Sequence, residues 1–158
     1  MEKKNKMSSG VFDVLKQDHR NVQHLFGRIL KEHKRSDETF NEIKQELKVH
    51  MAAEEKFLYP VLENNEKVKD MILESYEEHS VGKEMMEKLE HDSKDDAHWL
   101  AKVKVLNDVI EHHIGEEEGM MFPKAKNILS KQQNEEITGL IQQEKSEASA
   151  GSAPGELE

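Results

Sequence analysis

Two stretches of this chain carry residues whose types and spacing could do chemistry: His-Met-Ala-Ala-Glu-Glu-Lys-Phe-Leu-Tyr-Pro from His50 to Pro60, and His-Ile-Gly-Glu-Glu-Glu-Gly-Met-Met-Phe-Pro from His113 to Pro123. In both, a His is followed four residues on by a Glu, then by a second Glu, an aromatic and a Pro in the same register. Residues i and i+4 of a helix lie one above the other on one face, so His50 with Glu54, and His113 with Glu117, each present an imidazole beside a carboxylate. Two such pairs supply half the donors of a two-metal site.

Helices must position them, and apolar spacing locates those helices. Val11, Leu15, Val22, Leu25, Phe26 and Ile29 trace one stripe at helical spacing, and His19 falls inside it. Phe40, Ile43, Leu47, His50, Glu54, Phe57 and Val61 step by three and four along a second helix, after a turn from His33 to Asp37. Asn64-Asn65 marks the next turn. Val68, Met71, Ile72, Tyr76, His79, Met86 and Leu89 line a third helix, with Gly82 and Lys83 interrupting the stripe. A polar link from His91 to Asp96 leads to a fourth helix carrying Trp99, Val103, Leu106, Ile110, His113, Glu117 and Met120. Pro123 is expected to bend or restart that helix, and Ser130 with Gln133 resembles a capping box opening a short fifth helix through Ile137 and Ile141.

Antiparallel neighbours joined by short turns place two residues at one height when the midpoint between them falls in the turn. The midpoint of His19 and His50 falls at Lys34-Arg35, that of His50 and His79 on Asn64-Asn65, and that of His79 and His113 on Asp96. All three lie in turns. One inward His from each of four helices therefore shares a layer, with Glu54 and Glu117 about one helical turn along the axis, roughly 5–6 Å. A lone His on an apolar face is usually a packed side chain, but four at one level beside two core carboxylates call for a cation, because an unpaired buried charge costs several kcal/mol. His24, His33, His91, His98 and His112 lie off the stripes and read as solvated. Glu55 and Glu118 follow the candidate donors directly and point elsewhere, to the surface or to the outer side of the site. Met51, Met85, Met86, Met120 and Met121 read as core and rim filling.

Composition agrees with an all-α chain. It has 158 residues, 35% hydrophobic and 35% charged, with three prolines, which fits one domain of amphipathic helices in an up-down-up-down antiparallel four-helix bundle. The boundaries read as a flexible N-terminus over 1–10, a domain over 11–145 and a disordered tail over 146–158, where Ser, Ala, Gly and Pro accumulate. A net charge of -10 without a basic face argues against nucleic acid. No apolar run approaches the roughly 20 residues of a membrane span and the N-terminus has no signal-peptide core, so the expected compartment is the cytoplasm. With no cysteine, any metal must be held by imidazole and carboxylate. Six N and O donors in a bundle core suit two first-row ions bridged by carboxylate: two iron ions by preference, with zinc or manganese as substitutes.

These residues carry a resemblance. Asp18-His19, the His-x-x-x-Glu-Glu with its aromatic-Pro ending at His50 to Pro60, Glu78-His79, and the His-His-x-x-x-Glu-Glu-Gly with Phe-Pro at His112 to Pro123 resemble the hemerythrin-like, or HHE cation-binding, family over about residues 11 to 145. The resemblance implies a four-helix bundle around a non-haem di-iron centre. His19, His50, His79 and His113 would be its terminal ligands, with Glu54 and Glu117 as bridges. Members are associated with reversible oxygen binding, oxygen or redox sensing, iron handling, and reactions with peroxide or nitric oxide. Two departures bear on function. Oxygen carriers have a His-x-x-x-His pair on the third helix, where this chain has Lys83 four residues after His79. They place the bridging acid of the last helix as an Asp five residues after its His, where Glu117 comes after four. The expected role is a module binding or sensing oxygen, nitric oxide or redox state through a small diatomic or anionic ligand, with a peroxidase-, catalase- or ferroxidase-like enzyme as the alternative. Sensing would call for a separate protein partner, because no output domain accompanies the bundle. The ion near Lys83 is expected to lack a protein ligand there, since an ammonium has no lone pair to donate.

Overall fold

The computed structural model describes residues 10–151, which form five helices and, among the described residues, no strand. Helix α1 is Gly10–Lys31. Helix α2 starts as Asp37–Ala53 and runs on through a π-helical turn, Glu54–Leu58, into Tyr59–Leu62. Helix α3 is Lys69–Glu90. Helix α4 repeats the plan of α2, with Asp96–Glu116, a π-helical turn at Glu117–Met121, and Phe122–Lys126. Helix α5 is Lys131–Gly151.

The helix starts follow from local chemistry. Ser36 Oγ accepts the Thr39 N–H at 3.2 Å and Asp95 accepts the His98 N–H at 2.9 Å, each relieving one of the unpaired donors of a first turn. The expected capping box is present: Gln133 N–H donates to Ser130 Oγ at 3.0 Å, and Ser130 N–H donates to Gln133 Oε1 at 2.9 Å. After α1 the chain turns through His33, whose φ of +56° is left-handed.

Pro60 and Pro123 are absorbed rather than obeyed. A proline inside an α-helix removes one N–H and pushes its ring against the carbonyl four residues back. Here the helix widens just before each one: Tyr59 N–H bonds the Glu54 carbonyl and Phe122 N–H bonds the Glu117 carbonyl, five residues back in each case. The proline then sits at the start of a fresh α-helical segment. The expected bend or restart at Pro123 is therefore a π-turn in a continuous helix.

Buried apolar residues form two clusters. One gathers Val22, Phe26, Ile43, Leu47, Trp99 and Leu106 near the 34 and 95 turns, and the other gathers Leu15, Leu58, Leu62, Ile72, Met121 and Phe122. Between them lies a buried polar layer of Asp18, His19, His50, Glu54, Ser75, His79, His113 and Glu117. No helix among the described residues is long and apolar enough to cross a membrane.

Helix α5 is 21 residues long, so it is not the short helix expected, and residues 146–151 of the expected disordered tail are helical. The rest of that tail, and residues 1–9 of the expected flexible N-terminus, lie outside the described residues. Composition misjudges this end because the anchors are tertiary: Ile137 and Ile141 are buried in the second cluster, Lys56 pairs with Glu144 at 2.6 Å, and Lys145 pairs with Asp18. The Ile141 side chain is fully buried, so Ile141→Ala is expected to cost about 2–5 kcal/mol, read as a lower urea midpoint at unchanged slope. An unchanged midpoint would mean that α5 is not docked in solution.

Candidate metal centre

Each element delivers one part of the polar layer. Helix α1 supplies His19, α2 His50 and Glu54, α3 His79, and α4 His113 and Glu117; none of the six is more than 5% exposed. The structure brings all six together as two groups whose donor atoms lie within 4.8 Å of one another: His19, His50, Glu54 and Glu117, and then Glu54, His79, His113 and Glu117. The two glutamates belong to both groups.

The orientation of the imidazoles decides what the layer can do. Every Nδ1 is tied outward to a carboxylate: His19 to Glu118 at 2.6 Å, His50 to Asp18 at 2.8 Å, His79 to Glu55 at 2.7 Å and His113 to Glu78 at 2.6 Å. Every Nε2 is thereby aimed inward. His19 Nε2 lies 3.1 Å from Glu117, His50 Nε2 3.2 Å from Glu54, His79 Nε2 3.1 Å from Glu54, and His113 Nε2 3.4 Å from Glu117. Metal-binding histidines hold their second nitrogen in this way, which fixes the ring and raises its basicity.

The donor set fits metal ions on two counts. His50 Nε2 and Glu54 Oε2 are buried without a hydrogen-bond partner, although they are 3.2 Å apart. They are close enough to bond but not aimed to do so, as two lone pairs directed at a common ion would be. Similarly, His79 Nε2 and His113 Nε2 face each other at 3.2 Å. Donors bonded at roughly 2.1 Å to one ion at right angles stand about 3 Å apart, which is the spacing found throughout the layer.

Without ions, protons hold the layer together. Burial pulls the His50 imidazole towards neutrality, but Glu54, Asp18 and Glu117 outweigh it and carry the group up to about 10. Against the same burial, Glu54 and Glu55 raise His79, and Glu117 and Glu78 raise His113 well above the imidazole range. Burial pushes both glutamates up, and the charge of Glu117 pushes Glu54 up further. Even so, His50 and His79 keep Glu54 below the carboxylate range, and His113 and His19 keep Glu117 well below it.

Several functional groups escape a reading by spacing. Tyr59 is fully buried; its hydroxyl donates to Glu117 Oε2 at 2.5 Å, lies 3.0 Å from Glu54 Oε1 and is 3.4 Å from His79 Nε2. It stands five residues after Glu54, off the α-helical face, and only the π-turn swings it in. Pro60 is the one signal in the sequence that points to this. The outer carboxylates Asp18 and Glu78 adjoin His19 and His79 in sequence but serve His50 and His113 across helices. Glu55 and Glu118 do lie on the outer side, as expected. Lys83 does not reach the layer: it is exposed and bonds Glu55 at 3.3 Å. The five other histidines are all exposed.

The model of the hemerythrin HHE cation-binding domain matches residues 10–125. The chain belongs to that family. Over 133 residues this hemerythrin-like chain is also 29% identical to a DNA nickase of Nostoc sp. strain PCC 7120, a match covering 83% of the chain but 38% of the relative. The chain thus spans well under half the length of that protein. No solved structure matches it.

The proton-held layer sets a pH window for metal-free protein. His50 rises from 6.5 unfolded to about 10 folded, so its contribution is complete below about 6.5 and lost as pH climbs through about 10. Glu54 falls below its usual 4.5, so its contribution is present above that value and lost on acidification. The melting temperature of chelated protein is expected to peak between these limits and fall on the alkaline side. An alkaline limb that stays flat to pH 10 would refute this account.

Proposed function

We propose that this hemerythrin-like chain holds two iron ions as a non-haem di-iron centre and binds or senses a small diatomic or anionic ligand there: oxygen, nitric oxide or peroxide. His19 and His50 would serve one ion, His79 and His113 the other, with Glu54 and Glu117 shared, inside an up-down-up-down antiparallel four-helix bundle. The observation that carries this reading is the inward aim of four Nε2 atoms, each imidazole being held from behind by a carboxylate. A layer of N and O donors without thiolate favours iron, with zinc or manganese as substitutes. Iron would supply open coordination positions and a reversible change of charge.

The chain's own residues favour binding over turnover. A void of about 10 Å³, room for one molecule the size of water, adjoins His19, His50 and His113 and is walled by Val22, Leu47, Met51, Ile110 and Ile114. Asp18 is the other lining residue, and its carboxylate is already committed to His50 and Lys145. That wall is apolar and its one carboxylate is already bonded, which suits reversible capture better than a peroxidase-, catalase- or ferroxidase-like cycle. The relative's name raises nucleic acid as a target, but a net charge of -10 opposes gathering phosphates, and we do not extend nicking to this chain.

Iron-loaded protein is expected to hold about two ions per chain, to melt higher than chelated protein, and to change its visible spectrum when anaerobic samples meet air or nitric oxide. His50→Ala and His113→Ala should lower the ion count while His91→Ala does not, and Asp18→Asn should weaken metal affinity about 10- to 100-fold. Equal ion counts in all these variants would sink the assignment. A ferric spectrum indifferent to oxygen, nitric oxide, peroxide and azide would sink the ligand-binding role.

A further inference from the structure

The two His-x-x-x-Glu repeats are built alike down to the aromatic that follows them, and differ there by one oxygen atom. Phe122 stacks on His19, ring centres 6.0 Å apart and planes within 8°. Tyr59, in the same place of the other repeat, stacks on His79 at 5.4 Å and 28°. A phenyl ring is thus all that packing requires at this point of the fold. The hydroxyl on Tyr59 is additional, and burying one costs free energy unless it is used.

Its position shows the use. We propose that Tyr59 is a metal-binding residue whose phenol oxygen completes the donor set of Glu54, His79, His113 and Glu117, resting on the di-metal reading above. Tyr59 Oη stands 3.0 Å from Glu54 Oε1, 2.5 Å from Glu117 Oε2 and 3.4 Å from His79 Nε2. Those are the separations of atoms sharing one ion, about 3 Å, and three of the four donors in that group are involved. The other candidate for this place is absent from it, because Lys83 turns outward to Glu55. The position expected to be open beside Lys83 is thus filled by Tyr59 from the opposite apolar cluster. On ligation the phenol O–H bond breaks, an O–metal bond forms, and the proton is released to solvent, as for other ionisable ligands.

The test is the visible and resonance Raman spectrum of iron-loaded, ferric protein, with iron counted per chain. The expected result is a phenolate-to-iron charge-transfer band with enhanced phenolate ring vibrations. Both should be lost from the iron that Tyr59→Phe retains, and kept in Tyr76→Phe, the chain's other tyrosine. Wild-type protein with two irons and no phenolate signature overturns the proposal and leaves the di-iron reading standing. Persistence of the signature in Tyr59→Phe overturns it in the same way. Wild-type protein that holds no iron overturns both. The wild-type spectrum decides even if the variant folds poorly, although Phe122 shows that a bare ring packs in this setting.

Discussion

Two carboxylates buried side by side between apolar clusters are the constraint on which this structure turns. Glu54 and Glu117 are fully buried, and like charges in a low-dielectric layer repel strongly enough to unfold a bundle unless cations stand between them. The imidazoles answer that demand. Protonated, His50, His79 and His113 neutralise the glutamates directly; neutral imidazoles present lone pairs to ions that do so. Metal-free, the layer is neutralised by protons, and metal binding would release protons from it.

The outer carboxylates turn this local demand into a fold. Asp18 of α1 holds His50 of α2, Glu55 of α2 holds His79 of α3, Glu78 of α3 holds His113 of α4, and Glu118 of α4 holds His19 of α1. The four bonds close a ring, each joining one helix to the next. Charge-assisted bonds of this kind are stronger than neutral ones, and their geometry leaves each imidazole a single useful orientation. Arg20 pairs with Glu118 and Lys83 with Glu55, so exposed cations steady two members of the ring from outside. Asp18 is steadied by Lys145 of α5, which lies beyond the region matched to the family. Helix α5 thereby touches the His50 side of the centre through one carboxylate.

What is legible in the sequence follows the same division. The helices and the six inward donors can be read because α-helical periodicity and turn positions fix them, and the midpoints of successive histidines fall in turns or, at Asp96, on the first residue of α4. The ring cannot be read in full, because Asp18 beside His19 or Glu78 beside His79 gives no sign that each serves a histidine on another helix. Tyr59 is out of reach of periodicity, since an i+5 residue joins the face of residue i only where the helix widens. The full length of helix α5 is hidden because Ser and Ala near its end look like a tail until Ile137, Ile141, Glu144 and Lys145 find their partners.

The π-turns tie these threads together. A π-turn is a defect that shifts every later side chain around the helix axis, and it is tolerated only where something is gained by the shift. Pro60 and Pro123 make the α-helical alternative costly, so the sequence enforces the defect directly after each His-x-x-x-Glu. The shift lays an aromatic ring across the metal-facing layer from each repeat, and those rings seal the layer against the second apolar cluster. Symmetry then breaks by one atom. On the Phe122 side the seal is wholly apolar, whereas on the Tyr59 side it places an oxygen among the donors. The void walled by Val22, Leu47, Met51, Ile110 and Ile114 lies by the other cluster, near His19, His50 and His113. The layer therefore has one face stopped by aromatic rings and one face with room beside it.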